Sequence, residues 1–345
     1  MRITKVNYST YKNYLKQTFC NSKNKYSYQE SVMIELIILN SSEPLIGYGE
    51  ASILVGFSKE SIQEINWGIE SFIAAIDFNY NYSLEELLNL VEVQCCELPS
   101  LHFAIDTALY DLAGKLHNSP ISKLLNKNSA ELVEFSDIYI SNNQIKNQQS
   151  HIIKYKLGVN KINDDIQIIN SLSDKNPKMQ FRFDGNQLYT EIEFLEVLKK
   201  LQHININYFE EPLINLNSSI LKKIKNEINV KIAIDESLYN GNNYLNWIQN
   251  NLIDSVIVKP SIFGGYKKNF ELYNLCMAKN INMILSSALE NSIGNMSTIH
   301  LAAAINNNSL HGLNIHNFFD DFIYPPPYSK NENYVNINKF IGLGI

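Results

Sequence analysis

The stretch HIIKYKLGVN (residues 151–160) sets two lysines, Lys154 and Lys156, one residue apart inside a short apolar segment. Strand side chains alternate between faces with period two, so both ammonium groups share one face and Tyr155 takes the other. Alone, such a pair reads as a solvated strand face. Its surroundings change that reading. Short apolar segments recur downstream, each ending in residues fit for chemistry: MQFRFDGN in Asp184 and Asn186, INYFEEP in Glu210 and Glu211, VKIAIDES in Asp235 and Glu236. SVIVKPS follows with Lys259, then INMILSS with Ser286 and Ser287, and Glu290 close behind. The steps are even, 28 residues from Lys156 to Asp184 and then 26, 25 and 24 to Glu210, Asp235 and Lys259, which suits one strand, one helix and their loops per step. With FSDIYIS before and LHGLNIH after, eight strands alternate with helix-like stretches and predict a parallel barrel. Strand ends of such a barrel meet at one rim, so these distant residues converge on one pocket.

Upstream, RITKVNYSTY, SVMIELIIL and LIGYGEASI read as a three-stranded antiparallel meander, with polar CNSKNKYSYQE as a long loop between the first two. That loop, with Phe19, is long enough to serve as a lid. From Ser58 to about Leu125, apolar residues three and four apart predict amphipathic helices. The expected organisation is an α+β domain over 1–125, a barrel over 126–317, and a segment 318–345 returning onto the first domain.

Composition narrows the function. The 345 residues carry a net charge of −6 with lysines scattered, which argues against a nucleic-acid partner. Cys20, Cys95, Cys96 and Cys276 lack metal-finger spacing and suit reduced thiols. Neither a signal-peptide pattern nor a membrane-length apolar run is found, so a soluble cytoplasmic protein with no membrane partner is expected. Arginine occurs only at Arg2 and Arg182. Monomer and homo-oligomer stay open.

Three carboxylates, Asp184, Glu210 and Asp235, on neighbouring strands would repel one another in a partly dry pocket. A hard divalent cation, Mg²⁺ or a substitute such as Mn²⁺, removes that repulsion and prefers such oxygen ligands. Its charge, with desolvation, would favour the neutral amine of a nearby lysine.

The order KxK, D, E, D, K resembles the muconate-lactonizing subgroup of the enolase superfamily, over nearly the whole chain. The resemblance implies an α/β fold, a (β/α)7β modified TIM barrel with an α+β capping domain. It also implies metal ligation by Asp184, Glu210 and Asp235, acid/base chemistry by Lys156 with Lys259 on the opposite face, and assistance from Lys154. Three stretches are similar to o-succinylbenzoate synthases: GYGEASILVGFSKES (47–61), LHFAIDTALYDLAG (101–114) and SSALENSIG (286–294). Ile53 and Val55 stand where that family tends to have prolines and leucines, and Asn291 where Ser is usual. The implied reaction is a dehydration to o-succinylbenzoate, a step towards menaquinone, on a small carboxylate substrate contacted by Ser286, Ser287, Glu290 and Asn186. Racemisation of N-succinylamino acids or epimerisation of dipeptides by the same subgroup are the alternatives, although HGLNIH (311–316) offers Asn314 and His316 where dipeptide epimerases carry an acidic pair. A Schiff-base aldolase would not need three carboxylates in register, and a non-catalytic binding barrel would not need all these positions filled. Glu211 and Glu236 fall on the face opposite the ligands, Arg182 lies deeper and should pair with carboxylates, and His316 is either pocket-lining or structural.

Overall fold

The structure is a computed structural model describing residues 1–20, 25–40, 43–139, 150–241, 243–316, 318–319 and 321–345. The chain opens with an antiparallel sheet of β1 (Ile3–Cys20), β2 (Lys25–Asn40) and β3 (Glu43–Ile53) in the order β1-β2-β3. Pairing of β1 with β2 runs from Ile3 opposite Ile38 to Cys20 opposite Lys25, so most of the stretch expected to be a loop is strand. The reason is aromatic: Tyr28 pairs with Tyr14, and Tyr26 turns inward to bury its ring and donate its hydroxyl to the Val55 carbonyl (3.0 Å). Residues 21–24 and the Phe19 side chain, where the sequence suggests a lid, lie outside the described residues.

Four helices follow, α1 (Ile62–Ala75), α2 (Leu84–Gln94), α3 (Pro99–His117) and α4 (Ile121–Leu125). Ser61 and Ser83 close capping boxes with Glu64 and Glu86, which explains where α1 and α2 begin. Val32, Ile34, Leu36 and Ile38 of β2 alternate onto a buried face that packs with Ile65, Ile69 and Phe72 of α1 and Leu101 and Leu109 of α3. Against β3 the backbone of α3 comes so near that a Cβ on Gly49 would stand 2.0 Å from the Ala104 carbonyl oxygen, which is why glycine occupies that position.

After β4 (Leu132–Glu134), parallel strands alternate with helices: β5 (Asp137–Tyr139), β6 (Ile152–Lys156), α5 (Ile162–Lys175), β7 (Gln180–Asp184), α6 (Glu191–Leu201), β8 (Ile206–Glu210) and α7 (Ser218–Lys223). The series continues with β9 (Ile232–Ile234), α8 (Glu236–Tyr239), α9 (Asn243–Gln249), β10 (Ser255–Val258), α10 (Pro260–Phe263), α11 (Tyr266–Met277), β11 (Asn282–Leu285) and α12 (Ser292–Ile305). The sheet order is β11-β10-β9-β8-β7-β6-β5. The eighth expected strand, LHGLNIH, is reduced to a two-residue bridge that nevertheless closes the ring. Gly312 exchanges backbone bonds with Leu285 (2.9 Å) and Ser287 (3.0 Å), while His311 does so with Glu134 (3.0 Å) and Ser136 (2.9 Å). Left-handed turns at Asn306 and Asn308 just before it leave little extended chain.

The last residues run back along the molecule. Strand β12 (Tyr334–Asn336) pairs with β4, and Leu343 N–H donates to Asp111 of α3 (2.7 Å). Cys95, Cys96 and Cys276 are free thiols. Among the described residues no helix is long and apolar enough to cross a membrane.

Candidate active site

Strand register builds the site. Lys156, Asp184 and Glu210 are paired in succession on β6, β7 and β8, so their side chains project from one rim on one face. Asp235 follows β9 and Lys259 follows β10 at the same end. Lys154 Nζ bridges Glu210 Oε1 (2.8 Å) and Asp184 Oδ2 (3.0 Å), and Lys156 Nζ also reaches Asp184 Oδ2 (3.0 Å). Lys259 Nζ donates to both Asp235 carboxylate oxygens. Counted around a ring of eight positions, β6 and β10 are four apart either way, so Lys156 and Lys259 face each other across the pocket.

These groups are buried, and their charges control one another. Burial pushes the Asp184 carboxyl up, yet Lys154 and Lys156 outweigh it and hold the group well below the usual carboxylate range. Glu210 is driven the other way, to about 7, by burial and by Asp184. Burial also raises Asp235. For Lys154, burial favours the neutral amine, but Asp184, Glu210 and Asp235 dominate and keep it charged well above the ordinary lysine range.

Whether the three carboxylates suit a cation can be judged from their donors. All are oxygen ligands on successive rigid strand ends, and Glu210 Oε2 is buried without a hydrogen-bond partner among the described residues. That set fits a hard divalent ion. Among the described residues no three Asp, Glu, His or Cys side chains are gathered to hold a metal as they stand, because lysine ammonium groups lie between the carboxylates. An ion there would compete with Lys154 for Asp184 and Glu210.

The pocket opens between barrel rim and cap. Its floor holds Lys154, Lys156, Asp184, Asn186, Asp235 and Lys259, and its walls include Ser286, Ser287, Leu289 and Asn314. From the cap come Tyr26, Leu54 and Phe57. Phe57 lies 4.1 Å, ring centroid to Nζ, from Lys259, a cation–π contact that joins the cap to a catalytic candidate. The signal for Leu54 and Phe57 was present in GYGEASILVGFSKES, whereas Tyr26 was hidden in a stretch whose polarity suggested a loop.

Other expected residues take different places. Glu290 is buried with its oxygens engaged: Oε1 accepts from Ser261 Oγ (2.8 Å), Oε2 from Ser287 Oγ (2.5 Å) and Ala288 N–H (2.9 Å). It therefore supports the wall that Ser287 presents. Glu211 accepts from the backbone of Asp235 (3.0 Å) and Ser237 (2.7 Å), and burial with Glu236 nearby pushes it up to about 8. Among the described residues Arg182 pairs with no carboxylate: it donates to the Leu310 carbonyl (2.7 Å) and Asn207 (3.3 Å) and stacks over Tyr208. The barrel interior below the rim offers it amide and carbonyl oxygens, while the acids stand one layer higher, bound to lysines. His316 bonds the Tyr328 carbonyl (3.1 Å) and packs on Phe322, a structural role.

Fold and rim together define a capped (β/α)-barrel enzyme with a lysine–carboxylate site. The chain belongs to the enolase superfamily: residues 18–126 match the mandelate racemase/muconate lactonizing enzyme N-terminal domain, and residues 141–345 match the enolase C-terminal domain-like family. It is similar to a hydrophobic dipeptide epimerase of Enterococcus faecalis, 25% identical over 89% of this chain and 88% of the relative. The o-succinylbenzoate synthase of Pasteurella multocida is also 25% identical, over 81% of each chain. Among solved structures, the dipeptide epimerase from Enterococcus faecalis V583 complexed with Mg and dipeptide L-Leu-L-Tyr aligns over 100% of this chain and 99% of its own. The TM-score is 0.84 at 22% identity, a likeness of fold.

Proposed function

We propose that this enzyme removes the proton alpha to a carboxylate, with Lys156 as base, and that it is an o-succinylbenzoate synthase. The observation that carries the first part is the pair Lys156 and Lys259 facing each other across a pocket lined by Asp184 and Asp235, with Glu210 paired beside Asp184 on the next strand. Those three carboxylates would hold Mg²⁺. When bound, that ion supplies positive charge beside the substrate carboxylate, where negative charge develops as the proton leaves. Neutral Lys156 takes the proton from the ring carbon of 2-succinyl-6-hydroxy-2,4-cyclohexadiene-1-carboxylate. The resulting ammonium returns it to the departing hydroxyl, so water leaves and the ring becomes aromatic. Lys259 stays charged and faces the developing charge from the other side. Lys154, bound to two carboxylates, keeps their field balanced next to the base.

The substrate assignment is supported by the stretches that resemble o-succinylbenzoate synthases. GYGEASILVGFSKES supplies Leu54 and Phe57 to the pocket, and SSALENSIG supplies Ser286, Ser287 and Leu289. At the ring-closing segment the pocket meets Asn314, which cannot bind a substrate ammonium as a carboxylate would. A second reading, epimerisation of a dipeptide or an N-succinylamino acid, is favoured by the facing lysines, since each could serve one face of the alpha carbon.

The test is an assay of the purified protein with Mg²⁺ against the cyclohexadiene substrate, N-succinylamino acids and a dipeptide panel. Dehydration with kcat/KM in the usual enzymatic range of about 10⁴–10⁸ M⁻¹s⁻¹ is expected. Epimerisation without dehydration would replace the assignment by the second reading.

A further inference from the structure

Glu236 follows the third carboxylate directly in sequence but does not line the pocket. It opens α8, is buried, and its Oε1 accepts a hydrogen bond from Asn186 Nδ2 (3.0 Å). Asn186 does line the pocket, and turns its Oδ1 towards Lys156 Nζ (3.4 Å). The amide suits both neighbours as it stands: its oxygen accepts from the lysine nitrogen and its nitrogen donates to the glutamate oxygen. The backbone under Asn186 is equally determined. Its φ is 43°, its N–H donates to Asp184 Oδ1 (3.1 Å), and Gly185 N–H and Gln187 N–H donate to the carbonyls of Glu210 (2.9 Å) and Glu211 (2.6 Å). Asparagine tolerates that left-handed conformation better than most residues.

We propose that Glu236 is a positioning residue: it holds the Asn186 carboxamide so that the amide oxygen aims Lys156 at the substrate's alpha carbon. The inference rests on Lys156 being the base. Interposing an amide has a physical purpose. Lys154 bonds the carboxylates of Glu210 and Asp184, and Lys156 bonds the Asp184 carboxylate and the Asn186 amide oxygen. A neutral acceptor orients an amine without the full attraction that an anion exerts on its proton. Two lysines two residues apart thereby differ in one partner, a second carboxylate for Lys154 and an amide oxygen for Lys156.

The experiment compares Glu236→Ala and Glu236→Gln with wild type by steady-state kinetics, thermal stability and crystal structures. Glu236→Ala is expected to lower kcat by about 30-fold or more with KM within about twofold, because aim rather than binding is lost. In its crystal structure the Asn186 carboxamide rotates and Lys156 Nζ shifts. Glu236→Gln, which still offers an oxygen to Asn186 Nδ2, recovers kcat to within about fivefold of wild type. Wild-type kcat in Glu236→Ala overturns the proposal. So does equal impairment of both variants in kcat, KM and stability, which marks a purely structural role. If wild type turns over none of the substrates, the reading of function fails separately and the crystal structures decide: an unmoved Asn186 and Lys156 in Glu236→Ala refutes the relay, and displacement of both upholds it.

Discussion

Lys154 and Lys156 show how much a residue's meaning depends on its neighbours. Both sit on β6 and share a face, as alternation requires, yet Lys154 bridges Asp184 and Glu210 while Lys156 meets Asp184 and Asn186. The roles assigned to them are testable one at a time. Lys156→Ala should lower kcat by at least about 10³-fold, at the upper end of what a general base contributes, while Mg²⁺ affinity measured by calorimetry stays within about threefold. Retained turnover would identify a different base. The residue types at the rim were legible because spacing repeats with the strand–helix unit. Their partners were not: nothing local says that Glu290 supports Ser287, or that Arg182 bonds the carbonyl of a residue 128 positions away.

At the level of elements, the cap and barrel meet through β3. Glu50 accepts backbone hydrogen bonds from Asn291 (2.8 Å) and Gly294 (2.9 Å) at the start of α12, so the acid of the GYGE stretch joins the two parts of the chain across more than 240 residues. Its glycines serve the same closeness. Gly49→Ala would bring a Cβ against the Ala104 backbone of α3 and is expected to lower unfolding stability by about 3 kcal/mol, read from urea midpoints at constant m-value. Wild-type stability in that variant would mean that α3 can recede without loss of packing. The sheet and the helical stretch of this region were legible from strand alternation and from apolar residues three and four apart. The hairpin beyond Tyr14 escaped because Lys16, Gln17, Thr18, Lys25 and Ser27 are exposed and Tyr26 is the one buried side chain among its described residues, too little to show a strand face in the sequence.

The whole molecule carries two neutral buried histidines whose ring nitrogens hold main chains together. His300 Nδ1 accepts from Ser122 N–H (3.4 Å) and Nε2 meets the Leu343 carbonyl (3.1 Å), while His311 Nδ1 accepts from Leu285 N–H (3.0 Å) beside the ring closure. Burial lowers them to about 4 and about 3 respectively, with Arg182 contributing at His311. Below pH 6.5 the unfolded chain takes up protons that the folded one refuses, so the stability they contribute is complete above about pH 6.5 and is lost as pH falls towards 4 and 3. Asp106 opposes this: burial raises it to about 7, so its share of stability grows as pH falls from 7 towards 3.8. The difference isolates the histidine. His311→Asn keeps an acceptor for Leu285 N–H but cannot be protonated there, so its loss of stability between pH 7 and 4, measured by urea denaturation, should be smaller than that of wild type by about 3 kcal/mol. Parallel pH profiles would exclude His311 as a source.

By itself the sequence determined the alternation within its strands, the kind of barrel the repeats build, and which strand ends carry lysines and carboxylates, because strand alternation and the length of a strand–helix step are local properties of the chain. Only the tertiary structure decided how the ring closes through Gly312, that Tyr26 and Phe57 reach the pocket, and which cation each acid holds. Those outcomes depend on burial and on contacts between residues far apart in the chain. Spacing along the chain can place a carboxylate at a rim, but its charge state and partner are set by the groups brought within about 4 Å of it.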